Sequence, residues 1–263
     1  MNGMKEDSSD IIGEHNFIFY NKGRLFINSR LGCLARCNYC YLDKIGIPKG
    51  KIVKQIHADN IIKAISEKTK NIWKPDKTLV SFGCYSDPWD DYSRYHTKKI
   101  MIFLNQNGYR VTLSTKKPVK PIDLEGLHFL NKKYLYFLIS MPVANEISEI
   151  EKGTSSLHDR INSIKTLHDN GFNVAIYIKP FIRNKTSKSL PKIIELLKQF
   201  RVPVILGRLF ASSSDEKGVR AVISKSHILV ESESKEYFDV KKILQKYTTV
   251  HENSFQVFND KEK

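Results

Sequence analysis

Gly32-Cys33-Leu34-Ala35-Arg36-Cys37-Asn38-Tyr39-Cys40-Tyr41-Leu42 decides how the rest of the chain is read. Three of the four cysteines lie here, spaced C-x3-C-x2-C. Thiolates so close in sequence can converge on one metal centre from a single loop. Iron–sulfur clusters are normally held by four thiolates. Three on a four-iron cluster would leave one iron free of protein, the kind of open position that separates catalytic from closed structural metal sites. Structural zinc would call for a second Cys or His pair at finger spacing, and none is present. A disulfide is disfavoured by the clustering and by a start, Met1 to His15, that is polar and acidic rather than signal-like. A chance group of buried thiols is the plain alternative. The loop follows Arg24-Leu25-Phe26-Ile27-Asn28, a strand pattern, and so sits at a strand's C-terminal end, where parallel α/β barrels carry their active sites.

Working outward, residues 1–15 read as a flexible leader, and Phe17 to Tyr20 is a short apolar run before a turn at Asn21-Lys22-Gly23. Helical periodicity over Asn60–Lys70 is followed by a strand at Thr78–Phe82. A helix over Arg94–Asn107, closed by Gly108, leads to a strand at Arg110–Ser114. Pro121–Lys132 is expected to be helical with Leu124, Leu127, Phe129 and Leu130 inward, before an apolar strand at Tyr134–Ser140. A helix over Leu157–Asn170, a strand at Asn173–Ile178, a helix over Pro191–Phe200 and a strand at Val204–Leu209 complete the series. Strands alternating with such helices indicate an α/β fold built of βαβ units around a parallel sheet. The rhythm breaks after residue 210. Ala211–Gly218 reads as a loop and Lys235–Tyr247 as a helix, with the last dozen residues left to pair or dock. The expected division is therefore a leader over 1–15, a main domain over 16–210 and a C-terminal extension over 211–263.

Forty-three Lys and Arg against 28 Asp and Glu give a formal charge of +15. Such an excess favours a polyanionic partner, nucleic acid first, with a merely solvated basic surface as the alternative. No apolar run reaches the length a membrane span needs, and a cytoplasmic location is expected.

The CxxxCxxC spacing resembles the signature of the radical S-adenosylmethionine (SAM) superfamily. That resemblance implies a (β/α)6 partial TIM barrel and a [4Fe-4S] cluster on Cys33, Cys37 and Cys40. It also implies SAM chelating the fourth iron and cleaved reductively to a 5′-deoxyadenosyl radical, and an electron donor such as flavodoxin or ferredoxin. Three segments narrow it: Asn38-Tyr39-Cys40-Tyr41-Leu42, Gly83-Cys84-Tyr85-Ser86-Asp87 and Glu151-Lys152-Gly153-Thr154-Ser155-Ser156-Leu157-His158-Asp159-Arg160-Ile161. Together they are similar to the spore photoproduct lyase family, which reverses a thymine dimer lesion in DNA. The similarity runs from about Arg24 to Leu209.

The resemblance assigns roles. Cys84 would donate a hydrogen atom to the substrate radical, and Tyr39 and Tyr41 would relay one onward. The alternatives are a buried structural thiol and core aromatics. Ser86, Lys116 and Ser140 would contact SAM, with Ser86 and Asp87 offered to its ammonium and Lys116 to its carboxylate. An Asp-Pro turn is the competing reading of Asp87. Arg160 is expected near SAM or substrate with Glu151 orienting it, or else the two form a salt bridge at the helix start. Lys116, Lys117, Lys179, Arg183 and Arg208 would form a phosphate-tracking rim, and Trp89 and Tyr92 would stack on a base or pack in their loop. The function expected is radical SAM chemistry on nucleic acid, DNA favoured. The alternatives are RNA, peptide or a small metabolite as substrate, or a non-enzymatic basic nucleic-acid-binding protein with a structural metal.

Overall fold

Eight strands form one sheet in which spatial neighbours follow chain order. The computed structural model describes residues 17–21, 23–69, 73–207, 220–222, 229–231 and 234–261. In that sheet β1 (Ile18–Asn21) is antiparallel to β2 (Arg24–Ile27). β3 (Leu79–Phe82), β4 (Arg110–Thr115), β5 (Leu135–Ser140), β6 (Asn173–Ile178) and β7 (Val204–Leu206) follow in parallel. The last strand, β8 (Val250–His251), adds parallel to β7. The six strands expected from the sequence are all here. The run at residue 17 became a hairpin arm, and a segment from the last part of the chain became a seventh parallel strand.

Four helices cross between parallel strands and a fifth precedes β8. They are α1 (Ala58–Thr69), α2 (Arg94–Gln106), α3 (Leu157–Asp169), α4 (Leu190–Phe200) and α5 (Lys235–Leu244). Each turns an apolar stripe inward, as spacings of three and four residues require. Ile61 and Ile65, Ile100 and Leu104, Ile164 and Leu167, Ile193 and Leu197, and Tyr237, Val240 and Leu244 all join one core. The strand residues in that core are Leu25, Ile27, Val80, Val111, Leu113, Phe137, Ile139, Val174, Ile176, Val204 and Leu206, one face of the pleat. The other face carries a second, smaller cluster of Leu79, Tyr136, Leu138, Ala175 and Ile205, covered by Val257 and Phe258 of the 3-10 turn Gln256–Lys261. All five helices thus lie on one side, and the opposite side is closed at its base by the C-terminal segment.

The expected helix over Pro121–Lys132 is absent. Only a 3-10 turn over Pro121–Leu124 forms, and Phe129 is exposed although Leu124, Leu127 and Leu130 are buried. Gly126, at positive φ, breaks the backbone path that a continuing helix would need. From the part after residue 210, Tyr237, Val240 and Leu244 join the main core and Val257 and Phe258 the second cluster, while Arg220–Val222 and Leu229–Glu231 pair with each other as a separate two-stranded sheet. The expected leader, the Ala211–Gly218 loop and Arg208 lie outside the described residues.

Candidate active site

β2 ends at Ile27, and the next residues anchor the cysteine loop before it begins. Asn28 accepts the Tyr85 N–H at 2.8 Å, linking the ends of β2 and β3. Arg30, fully buried, forms an ion pair with Asp90. The loop itself is held on two sides. Gly50 N–H donates to the Cys33 carbonyl at 2.6 Å. Arg36–Cys37 pairs antiparallel with Glu151–Lys152, Cys37 opposite Glu151, and Asn38 N–H donates to the Ile150 carbonyl at 2.9 Å.

The three loop cysteines face a cavity of about 170 Å³. Of the residues singled out from the sequence, Tyr39, Tyr41, Cys84, Ser86, Asp87, Lys116 and Ser140 line the same space. Its wall is made of strand ends: Gly83–Asp87 after β3, Ser114–Lys116 at the end of β4, Ser140 closing β5 and Lys179-Pro180 after β6. Gly83 has φ +98°, and a Cβ there would come within 2.7 Å of Ser114 Oγ and 2.8 Å of its carbonyl. Only glycine lets the β3 end lie this close to β4.

Burial sets the protonation of the cavity's thiols and phenols. Desolvation pushes Cys84 up to about 12, against the pull of Lys179 and Arg24, so it is a thiol at neutral pH. Burial raises Cys37 to about 12 against Lys116, and raises Cys33 and Cys40 as well. Tyr39 and Tyr41 lie well above the usual phenol value, burial first, with Glu151 next for Tyr39 and Cys84 next for Tyr41. Burial works against the Lys116 ammonium, yet Cys37 and Glu151 hold it above its ordinary value. Its Nζ lies 5.6 Å from the centre of the Tyr39 ring.

The two tyrosines are tied differently. Tyr41 Oη donates to the Cys84 carbonyl at 2.6 Å. Tyr39 Oη donates to Glu151, whose other oxygen lies 2.6 Å from Arg160 Nη1. Arg160 does not line the cavity. Fully buried, it donates to the Ser140 carbonyl at 2.8 Å, to Thr154 Oγ1 at 2.7 Å and to the Ser155 carbonyl at 3.1 Å. It is the salt-bridge half of the expectation that the structure realises, with Glu151 reaching Tyr39. Asp87 has both oxygens engaged: Oδ1 accepts from Trp89 N–H at 3.0 Å and Thr115 Oγ1 at 2.6 Å, and Oδ2 from Lys116 N–H at 2.8 Å. That is the turn-building reading of the Asp-Pro pair.

Trp89 is not a stacking platform. It is fully buried, edge-on to Phe137 at 5.5 Å, while Tyr92 is exposed. Of the expected cationic rim, Lys116 and Lys179 line the cavity, and Lys117 Nζ donates to the Gly153 carbonyl at 2.9 Å. Arg24, Ser81, Thr112, Tyr177 and Ser254 also line the cavity. Four of them carried a sequence signal: polar residues alternating with apolar ones within strands, as in Arg110-Val111-Thr112-Leu113-Ser114. Ser254 carried none.

Three thiols open onto one cavity, and thiolates are the ligands that iron–sulfur clusters take. Lys116 and Lys49 stand near to offset thiolate charge. Ser140 Oγ, buried in the wall, has no hydrogen-bond partner of its own, which leaves a donor for a ligand.

The sequence model of spore photoproduct lyase matches residues 25–204. The chain belongs to the spore photoproduct lyase family. It is 28% identical over 167 residues to a spore photoproduct lyase of Clostridium acetobutylicum, covering 62% of this chain and 48% of the relative. The match to a spore photoproduct lyase of Geobacillus is 27% over 155 residues, covering 58% and 44%. The matched part thus spans under half the length of these relatives. A solved cysteine-to-alanine variant of spore photoproduct lyase superposes with a TM-score of 0.66 at 18% identity, over 86% of this chain and 75% of that one. A related variant solved with bound AdoMet and dinucleoside spore photoproduct gives 0.64 at 18%, with the same shares. Streptococcus suis SuiB bound to S-adenosylmethionine gives 0.63 at 11%, over 88% of this chain and 50% of that one. At these identities the likeness to solved structures is one of fold, an α/β architecture with a mostly parallel central sheet.

Proposed function

We propose that this member of the spore photoproduct lyase family is a radical SAM lyase that acts on a pyrimidine lesion in DNA. The observation that carries the reading is the meeting, in one cavity at the strand ends, of the CxxxCxxC cysteines with Cys84 and Tyr41. Cys33, Cys37 and Cys40 would hold a [4Fe-4S] cluster whose fourth iron takes SAM, and together these groups supply reductive SAM cleavage and radical hydrogen abstraction. Sequential strand order with the five long helices on one face supports a sheet rolled about this cavity, the (β/α)6 partial barrel.

The chain's own residues then have defined work. Ser140 Oγ and Ser86 offer hydrogen bonds, and Lys116 offers an ammonium, to the amino-acid end of SAM. Cys84 presents a weak S–H bond to a carbon radical, and burial keeps it protonated so that a hydrogen atom is there to give. Tyr41, bonded to the Cys84 carbonyl, is the phenol to restore it, and Tyr39 lines the same cavity. The closed hydrophobic wall behind the strands excludes water from these steps.

The test is anaerobic reconstitution with iron and sulfide, followed by electron paramagnetic resonance of the reduced protein with and without SAM. A [4Fe-4S] signal that shifts on SAM addition, with 5′-deoxyadenosine formed and a dinucleoside spore photoproduct reverted, is the expected result. In Cys84→Ala, the SAM-induced shift should persist while clean reversion fails. A zinc-only protein, or a cluster indifferent to SAM, would overturn the reading. Turnover of RNA, peptide or a metabolite but not of the lesion would overturn the substrate.

A further inference from the structure

The inner end of the cavity is polar without a stated purpose. Arg24 is the first residue of β2, level with Leu79 at the N-terminal end of β3, so it rises from the floor while the cysteine loop forms the opposite end. Its guanidinium lies 4.4 Å from the Phe255 ring centre and 5.6 Å from that of Phe26, held by cation–π contact on both. Its Nε is buried without a hydrogen-bond partner. Ser254 lines the cavity beside it, Tyr177 stands higher in the wall, level with Ser140, and Ser81 and Thr112 pair with each other at 2.9 Å. On this face of the sheet lies the cluster of Leu79, Tyr136, Val257 and Phe258.

A guanidinium fixed by two rings, with a donor left unpaired, is costly unless something with acceptor oxygens meets it. Among the described residues that line the cavity the one carboxylate, Asp87, has both oxygens engaged at the strand ends. An acceptor oxygen on a ligand would meet the unpaired donor. Enzymes that do chemistry on a base within nucleic acid take the base out of the stack and read its edge. An extruded ring enters first, so its carbonyl edge reaches the floor while the sugar–phosphate backbone stays at the cationic mouth.

Resting on the lesion reading above, we propose that Arg24, set in place by Phe255 and Phe26, reads the carbonyl edge of a substrate pyrimidine and is a specificity-determining residue of this site. Cys84 and Arg24 line the same cavity, so a ring held at the floor is presented to the thiol. The C-terminal segment gains a role: by supplying Ser254 and Phe255 it builds the surface on which recognition occurs.

The experiment is equilibrium binding, without SAM so that nothing turns over, of dinucleoside spore photoproduct and of its phosphate-bridged dinucleotide to the reconstituted full chain. The wild type is compared with Arg24→Met, Arg24→Lys and Phe255→Leu. Loss of a charged hydrogen-bond donor should weaken binding about ten- to a hundredfold in Arg24→Met, equally for both ligands. Arg24→Lys should recover only part of this, since the fork is gone, and Phe255→Leu should lose less than Arg24→Met. Melting curves identify any variant that has not folded, and binding by the folded Arg24→Lys and Phe255→Leu proteins then carries the comparison. Unchanged affinity in a folded Arg24→Met, or a loss confined to the phosphate-bridged ligand, would overturn the assignment. No binding of either ligand by the wild type would refute the lesion reading itself, a different outcome from an Arg24 variant that binds as well as wild type.

Discussion

Replacing Glu151 by alanine should unfold the protein far more easily than its place in a short connecting segment implies. Glu151 and Arg160 form a buried ion pair in which each side chain has essentially no exposure. Removing the carboxylate strands the Arg160 guanidinium in the interior, where only the Ser140 and Ser155 carbonyls and Thr154 Oγ1 remain to it. Breaking a buried pair from one side costs about 3–5 kcal/mol. Loss of the Tyr39 hydrogen bond adds roughly 1 kcal/mol. For a chain of this size each kcal/mol lowers the midpoint by about 2–4 °C, so Glu151→Ala should melt roughly 8–24 °C below wild type. Arg160→Met should cost a similar amount. The double variant Glu151→Ala/Arg160→Met should recover at least half of the summed loss, because no charge is then stranded. Urea unfolding of the four proteins measures this cycle. Single losses below 1 kcal/mol, or a double loss equal to the sum, would refute the claim that the pair acts as one unit.

Gly83→Ala should lose about 1–3 kcal/mol by thermal melting and lose SAM binding, since φ +98° and contact with Ser114 both oppose a Cβ; the same change at Gly46, where a Cβ meets nothing within 4 Å, should leave SAM binding intact. Burial lowers Lys179 to about 8 from its ordinary 10.5. Between those values the unfolded chain binds a proton that the folded chain has released, so unfolding free energy should rise with pH through that window. Lys179→Met should remove the rise and add roughly 2–3 kcal/mol at pH 7, which pH-dependent urea titration would show; a flat wild-type profile above pH 8 contradicts it. Phe258→Ala should cost about 3–5 kcal/mol, because Phe258 is buried in the cluster under the cavity and packs edge-on against Tyr136 at 5.2 Å. Unfolding within 1 kcal/mol of wild type would mean that the C-terminal turn does not close the floor.

The strands were legible because each is a short apolar run between glycine or polar punctuation. The fully buried Leu135–Ser140 is the clearest case. Helices with apolar residues three and four apart were legible for the same kind of reason. Pro121–Lys132 misled because Leu124, Leu127 and Leu130 are buried from a turn as well as they would be from a helix, and spacing alone does not separate the two. The cysteine loop stood out by its spacing and Cys84 by the resemblance of Gly83–Asp87 to the family's segment, and the four cysteines line one cavity. Arg160 was not, because its role depends on Glu151, Ser140 and Thr154 meeting in space, and sequence proximity to a motif says nothing about which side of a wall a residue occupies. Trp89 followed the same logic: its loop position pointed outward, and its ring went into the core.

The ribbon that joins the cysteine loop to Glu151–Lys152 has a bearing on the order of assembly during synthesis. Tyr39 and its partner Glu151 are 112 residues apart. While the ribosome makes everything between them, the loop has neither its register partner nor its buried carboxylate, and its thiols are open to oxidants and stray metals. Metal loading before that point would meet a loop without a fixed shape. The proposed cluster would therefore be loaded late, scaffold first and metal afterwards, with Glu151 as the residue whose arrival marks the change.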